Sequence, residues 1–365
     1  MTPQKIKVFI IDDSALVRQV VTEILSEDPT IEVMGTASDP IFAQKYLEKD
    51  WPDVIILDLE MPRMDGLTFL HKIMQEHPTP VVICSSLTKE GTSHAMAALE
   101  AGAVGIITKP EIGLKDFLSE SKTTLIDAVK SAAQAKIAQK RQMTPKTKLF
   151  DERPKLSADA ILPPPTRTTA SSQQAVVAIG ASTGGTVAIE DILTKLPAQS
   201  PPILIVQHMP AGFTKAFAER LNELCAIEVK EAEDGDLLRW GRALIAPGNF
   251  HLLMEKRGQN YVAAVKSGPL VNRHRPSVDV LFRSVAQNAA KNSLGILLTG
   301  MGDDGAQGMV EMHEKGMLCL AQDEKSSVVF GMPREAIIRG AVDKVLPLDK
   351  IAQEIINHFA SHQKS

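Results

Sequence analysis

Through its first 130 or so positions the chain alternates short apolar runs with amphipathic stretches. The runs are KVFII (7–11), IEVMGTA (31–37), DVIILDL (53–59), PVVICSS (80–86) and VGIIT (104–108), each rich in Val and Ile and bounded by turn or capping residues. Between them the spacing of apolar positions predicts helices over 14–28, 39–49, 66–76, 91–101 and 114–138. Strands that read as continuous apolar runs are buried on both faces, and their alternation with helices predicts a doubly wound parallel sheet. From about 139 to 173 the pattern dissolves into a polar, proline-bearing stretch without periodicity, which reads as a mobile linker. This divides the chain into a first domain over 1–130, a connecting stretch over 131–173 and a second domain over 174–365.

The second domain repeats the style of the first. Apolar runs recur at 174–182, 202–207, 242–247, 251–255, 261–265, 294–300 and 317–322, with helical patterns near 184–195, 213–224, 277–290, 304–315 and 349–360. The closely spaced runs between 242 and 265 look like an antiparallel excursion, so a mostly parallel sheet with a hairpin insertion is expected.

Composition changes this picture little. Over 365 residues, 44% are hydrophobic and 23% charged, as in ordinary globular domains, and the formal net charge of −4 argues for neither nucleic acid nor an anionic membrane surface. Cys84, Cys225 and Cys319 are widely spaced and odd in number, which suggests neither a disulfide framework nor a zinc cluster. No signal-peptide core and no apolar run of membrane-spanning length is seen, so a reducing cytoplasm and no membrane insertion are expected.

Chemistry concentrates at the ends of the runs. Asp12 and Asp13 close the first, Asp58 the third, Ser85 the fourth and Lys109 the fifth. In a doubly wound sheet, ligands bind outside the carboxyl ends of the strands. Three carboxylates gathered there repel one another unless a cation joins them, and hard oxygen ligands suit Mg²⁺. A hydroxyl and an ammonium at the same edge can hold phosphoryl oxygens. Whether Ser85 or Ser86 supplies that hydroxyl depends on strand register, and Ser85 is preferred. With the segment LEMPRMDGL, these residues make positions 5–128 resemble a response-regulator receiver domain of the flavodoxin-like kind. The resemblance implies that Asp58 accepts a phosphoryl group, that Asp12 and Asp13 help bind Mg²⁺, and that Ser85 and Lys109 sense the phosphoryl group.

In the second domain, VVAIGASTGG sets Ser182 in a glycine-rich turn between a strand and a helix, where helix-terminal amides can stabilise negative charge. The pattern departs from both the dinucleotide-binding G-x-G-x-x-G and the G-x-S-x-G elbow, and a plain helix cap by Ser182 or Thr183 competes with a nucleophile. His208 ends the next strand, and Asp303 and Asp304 lie in the turn after LGILLTG. Serine, histidine and aspartate thus share one sheet edge, as acyl transfer requires. His251 and His274 have polar surroundings but no evident partner pattern.

The segments IGASTGG, VQHMPAGFT, APGNFHLLM, NRHRPSVDVLF, LLTGMGDDGAQGM and QDEKSSVVFGMPREAI make residues 173–362 resemble the catalytic domain of chemotaxis protein-glutamate methylesterases. With the receiver and linker, the whole chain is similar to that family. The resemblance implies Ser182 as nucleophile, His208 as base, Asp304 rather than Asp303 as the third member, and the backbone amide of Met301 in an oxyanion hole. It also implies methylated chemoreceptors as substrate, a chemotaxis histidine kinase as phosphodonor, an unphosphorylated receiver that restricts the active-site cleft, and no cofactor for hydrolysis itself. A phosphorylation-dependent binding module and a transcriptional regulator are the competing classes. The intact serine, histidine and aspartate set argues against the first, and the lack of a compact basic helix-turn-helix segment against the second.

Overall fold

A computed structural model describes residues 5–61, 64–110, 115–135, 155–164 and 174–362. The N-terminal domain runs β1 (Ile6–Ile11), α1 (Ala15–Ser26), β2 (Ile31–Ala37), α2 (Pro40–Leu47), β3 (Val54–Leu57), α3 (Gly66–Glu76), β4 (Val81–Ser85), α4 (Lys89–Glu100), β5 (Gly105–Thr108) and α5 (Lys115–Ala132). Ser14, Asp39, Asp65 and Thr88 accept backbone N–H bonds at the starts of α1 to α4, which is why those helices begin where they do. The sheet is parallel throughout, in the order β2-β1-β3-β4-β5. The strand order reverses between β1 and β3, and this opens a crevice at their carboxyl ends. Ile11 pairs with Leu57, so Asp12 and Asp58 are the next residues along on neighbouring strands.

The second domain runs β6 (Val177–Ala181), α6 (Gly185–Leu193), β7 (Ile203–Gln207), α7 (Phe213–Leu224), β8 (Glu228–Glu231), β9 (Arg242–Ile245), β10 (His251–Arg257), β11 (Asn260–Lys266), α8 (Val278–Asn288), β12 (Leu294–Leu297), α9 (Ala306–Glu314), β13 (Leu318–Gln322), α10 (Met332–Ile338), β14 (Lys344–Leu346) and α11 (Leu348–His362). Seven strands form one parallel sheet in the order β14-β13-β12-β6-β7-β9-β8. Its reversal point lies between β12 and β6.

Two expectations are corrected. The run at 242–247 is not part of an antiparallel excursion: β9 pairs in parallel with both β7 and β8, and only β10 and β11 form a hairpin, as a separate two-stranded sheet. Proximity in sequence misled here, because the β9–β10 link changes sheets rather than turning back. The stretch expected to be wholly a mobile linker also contains residues 155–164, which lie against α8 and the hairpin, with Ala158 buried. Apolar Ala158, Ile161 and Leu162 do this, spaced too irregularly to show as a period.

The domains meet across a shared face. Arg220 of α7 pairs with Glu100 of α4 at 2.7 Å, and Ser131 of α5 and Thr183 share a hydrogen bond at 2.5 Å. Among the described residues, no helix is long and apolar enough to cross a membrane.

Helix α8 supports the second domain's site, and its Phe282 is fully buried among Val278, Met309 and neighbouring apolar side chains. Phe282→Ala is expected to cost about 3–5 kcal/mol. The check is chemical denaturation followed by a probe confined to the second domain, for which an unchanged midpoint would contradict this packing.

Candidate active site

Parallel pairing brings the second domain's chemistry together. Ala181 pairs with Gln207, so Ser182 and His208 leave adjacent strands side by side, and the His208 amide donates to the Ala181 carbonyl at 3.0 Å. Strand β12 lies on the other side of β6, with Leu297 opposite Gly180. The chain beyond it turns at Gly300 directly over the serine: a Cβ there would lie 2.7 Å from the Ser182 Cβ, so only glycine permits the approach. The Ser182 amide donates to the Thr299 carbonyl at 3.0 Å, and Gln207 Nε2 donates to the Ser182 carbonyl at 2.9 Å. Gly184, not Ser182 or Thr183, is the N-cap of α6 and no side chain caps that end, so the helix-cap reading of Ser182 does not hold.

His208 Nε2 donates to Asp304 Oδ2 at 2.8 Å. With its Nε2 proton so engaged, Nδ1 is the acceptor nitrogen, and it is buried with no hydrogen-bond partner of its own. The ring therefore works in the opposite sense from the chymotrypsin arrangement, where Nδ1–H faces the aspartate. Asp304 is buried and accepts four further hydrogen bonds: from Asn272 Nδ2 at 2.9 Å, Ser277 Oγ at 2.8 Å, the Val278 amide at 2.7 Å and the Asp279 amide at 3.2 Å. Val278 opens α8, so the carboxylate sits at the positive end of a helix dipole. Burial alone would push its pKa up, but the hydrogen bonds from His208 and Asn272 hold it well below the usual carboxylate range. Asp303, its neighbour, pairs instead with Lys155 and Arg339.

A cleft of about 660 Å³ opens beside these groups. Ser182, His208, Asp304 and Met301 line it, and so do Asp127, Ser131 and Gln134 from the N-terminal domain. A half-buried serine at the sheet's carboxyl edge, beside an imidazole that is fixed by an ionised carboxylate, can carry nucleophilic acyl transfer.

The first domain's acidic residues also gather. Ligand oxygens of Asp12, Asp13 and Asp58 lie within 4.8 Å of one another. Lys109 Nζ reaches Asp58 Oδ2 at 2.7 Å and Asp12 Oδ2 at 3.4 Å. Burial, with the Asp12 charge adding, pushes Asp58 up to about 6 despite Lys109. Asp12 Oδ2 is buried without a hydrogen-bond partner, as an oxygen awaiting a cation would be. This all-oxygen donor set fits a hard divalent ion such as Mg²⁺. Ser85 ends β4 but its hydroxyl donates to the Gly91 carbonyl at 3.2 Å, while Ser86 Oγ donates to Glu60 at 3.0 Å.

Family models match both domains: the response regulator receiver domain over residues 8–120 and CheB methylesterase over 177–355. The protein-glutamate methylesterase/protein-glutamine glutaminase 3 of Geobacter metallireducens is 56% identical over 354 residues, covering 97% of this chain and 99% of that one. This chain belongs to the protein-glutamate methylesterase/protein-glutamine glutaminase family. A second such relative, from Rhizobium johnstonii, is 55% identical over 97% of this chain and 98% of its own. The crystal structure of the Thermotoga maritima CheB methylesterase catalytic domain aligns with a TM-score of 0.49 at 38% identity, over 51% of this chain and 98% of that one.

Sequence reasoning missed the groups that hold the triad candidates in place. His274, without an evident partner in the sequence, stacks on His208 with ring centroids 3.7 Å apart. Burial first, and then the neighbouring His208, lower its pKa, so it packs as a neutral ring. His251 is a structural residue: it is buried, with Nε2 donating to the Pro269 carbonyl and Nδ1 accepting from the Ser277 amide. Asn272 and Ser277 lie more than 25 residues before Asp304, and only the shared NRHRPSVD segment could have pointed to them.

Asp304→Asn removes the charge and sets an amide donor against five donors. We expect a loss of about 3–5 kcal/mol at pH 7. A depressed carboxylate contributes stability that is present above its unfolded pKa of about 3.9 and lost as pH falls through the lower folded value. The gap between the variant and the parent should therefore narrow on acidification below about pH 4, which equilibrium denaturation across pH will measure.

Proposed function

We propose that this protein hydrolyses glutamate γ-methyl esters on chemoreceptors, releasing methanol, and deamidates receptor glutamines, under control of phosphorylation at Asp58. The observation that carries the reading is the His208–Asp304 hydrogen bond beside Ser182 in a chain of this family. Ser182 Oγ attacks the γ-carbonyl as its proton passes to His208 Nδ1. The tetrahedral oxyanion faces the turn at Met301, whose amide is assigned to stabilise it. The imidazolium returns the proton to the departing methoxide, methanol leaves, and water repeats the sequence on the acyl-serine to free the glutamate. With an amide substrate the leaving group is ammonia. The buried, ionised Asp304 keeps the ring in one tautomer and compensates its transient charge.

In the N-terminal domain, Asp12, Asp13 and Asp58 would hold Mg²⁺, which supplies positive charge between the carboxylates and an incoming phosphate. Asp58 is the assigned acceptor, a chemotaxis histidine kinase the donor, and Lys109 and Ser85 the groups that respond. The cytoplasm is the assigned compartment. The contacts of α5 over the cleft support an inhibitory role for the unphosphorylated receiver: Ser131 bonds Thr183, next to the nucleophile, and Asp127 faces Arg273 at 3.8 Å. A phosphoryl group adds a charge of about −1.5 to −2 that can re-weight covered and open arrangements.

Ser182→Ala and His208→Ala should each lower methanol release from methylated receptor membranes by roughly 10⁴-fold or more, because such groups act as a unit. Turnover near the parent rate in either variant would refute the assignment. With Mg²⁺ and a small acyl-phosphate donor, the full chain should gain one phosphoryl group and hydrolyse faster. Asp58→Asn should do neither, and labelling of that variant at the parent level would place the acceptor elsewhere.

A further inference from the structure

The segment 155–164 holds on to the groups around Asp304. Lys155 Nζ pairs with Asp303 at 2.6 Å, and the Leu156 carbonyl accepts the Asn272 amide at 2.9 Å. Arg283 of α8 donates to Asp159 at 2.5 Å and to the Leu162 carbonyl at 2.9 Å, while Gln287 donates to the Pro163 carbonyl at 2.6 Å. Ile161 lies so close to Gly268 that a Cβ there would be 2.3 Å from its Cδ1. Ala158 is buried with Leu253, Ala264, Val271 and Val280. Ten residues of an otherwise polar connection are thus fastened at both ends and along their length.

Asn272 is where this segment meets the site. Its backbone is left-handed, with φ of 49°, and Val271 and His274 close a tight turn around it with reciprocal backbone hydrogen bonds. Asn tolerates that conformation. Here the Asn272 amide is tied to Leu156, and its Nδ2 is divided between Asp304 Oδ1 at 2.9 Å and Asp279 Oδ2 at 2.5 Å. The same turn carries His274, which stacks on His208.

Resting on the assignment of Asp304 and His208 above, we propose that residues 155–164 are a strap belonging to the catalytic site, and that Asn272 is the positioning residue through which it aligns Asp304 and His208. The strap does not touch the reacting atoms. It fixes the turn from which one side chain holds the carboxylate and another backs the imidazole. The effect belongs on turnover rather than substrate binding, since misplacement of catalytic groups acts through the transition state.

The test is a double-mutant cycle on the full chain, with and without phosphodonor, measuring kcat and KM for methanol release from methylated receptor membranes. Asp159 is more than half exposed, so Asp159→Ala loosens the strap with little risk to folding. It is expected to lower kcat at unchanged KM, by the same factor in both phosphorylation states. Asn272→Ala should lower kcat further, by up to about a hundredfold. The double variant should be no slower than Asn272→Ala alone, because the strap acts through that residue. An unchanged kcat in Asp159→Ala, a loss confined to KM, or factors that multiply in the double variant would overturn the proposal. Should Asn272→Ala not fold, Asp159→Ala decides by the first two criteria. Normal turnover by Ser182→Ala would instead remove the triad assignment, whereas multiplying factors beside an inactive Ser182→Ala would remove the strap alone.

Discussion

A buried carboxylate accepting five hydrogen bonds is the constraint on which the second domain's site is built. Removing Asp304 from water is costly unless every lone pair is satisfied and a positive field is close by. The structure meets that demand with the first amides of α8, the hydroxyl of Ser277, the amide of Asn272 and the ring of His208. Each of these partners is thereby fixed. The start of α8 is pinned to the turn after β12, the 271–274 turn is pinned to both, and the imidazole is left with one acceptor nitrogen. Rigidity at the site is thus the consequence of burying a charge properly, and it needs no separate explanation.

Both domains use the same place in the sheet and opposite electrostatics. At the reversal point of the first sheet, Asp12 and Asp58 face each other with Lys109 as counter-ion and too few donors, so burial leaves Asp58 raised to about 6 and an oxygen of Asp12 without a hydrogen bond, its nearest cation Lys109 at 3.4 Å. At the reversal point of the second, Asp304 has donors in abundance and is held strongly acidic. An under-satisfied carboxylate cluster suits a site that receives a cation and a phosphoryl group; an over-satisfied one suits a fixed element that must not titrate. One architecture thereby offers a variable site and a constant one.

What was legible in the sequence follows from this geometry. Residues that terminate apolar strands are placed by the strand itself, so Asp12, Asp58, Lys109, Ser182 and His208 could be read from run boundaries alone. Glycines mark the turn after β12 and narrow the choice to Asp303 and Asp304, and only the family resemblance singles out Asp304. Strands β8 and β14 were not, because EVKE and KVL are short edge strands whose side chains are mostly half-buried or exposed, leaving no apolar run to detect. Asn272, Ser277 and His274 sit in an irregular connection where no period applies, and their partners lie across the fold. The 155–164 segment was concealed by composition: its prolines and polar residues look like a linker, and the apolar residues that dock it are too few to form a pattern.

In the proposed inhibitory arrangement, a small energy would suffice to govern access to the cleft. The contacts of α5 with the second domain include polar ones, a hydrogen bond to Thr183, a 3.8 Å approach of Asp127 to Arg273 and Gln134 near the sulfur of Met301, together with Val328 packed on its apolar cluster. The polar contacts contribute modestly each, because water competes for the same groups. If the receiver is the proposed cover, a shift of about 1.4 kcal/mol changes its ratio of open to covered forms tenfold. The strap's contacts lie within the second domain, so movement of the receiver would leave the 271–274 turn in place. In the proposed arrangement, control of access falls to the receiver and alignment of the catalytic groups to the strap that follows it.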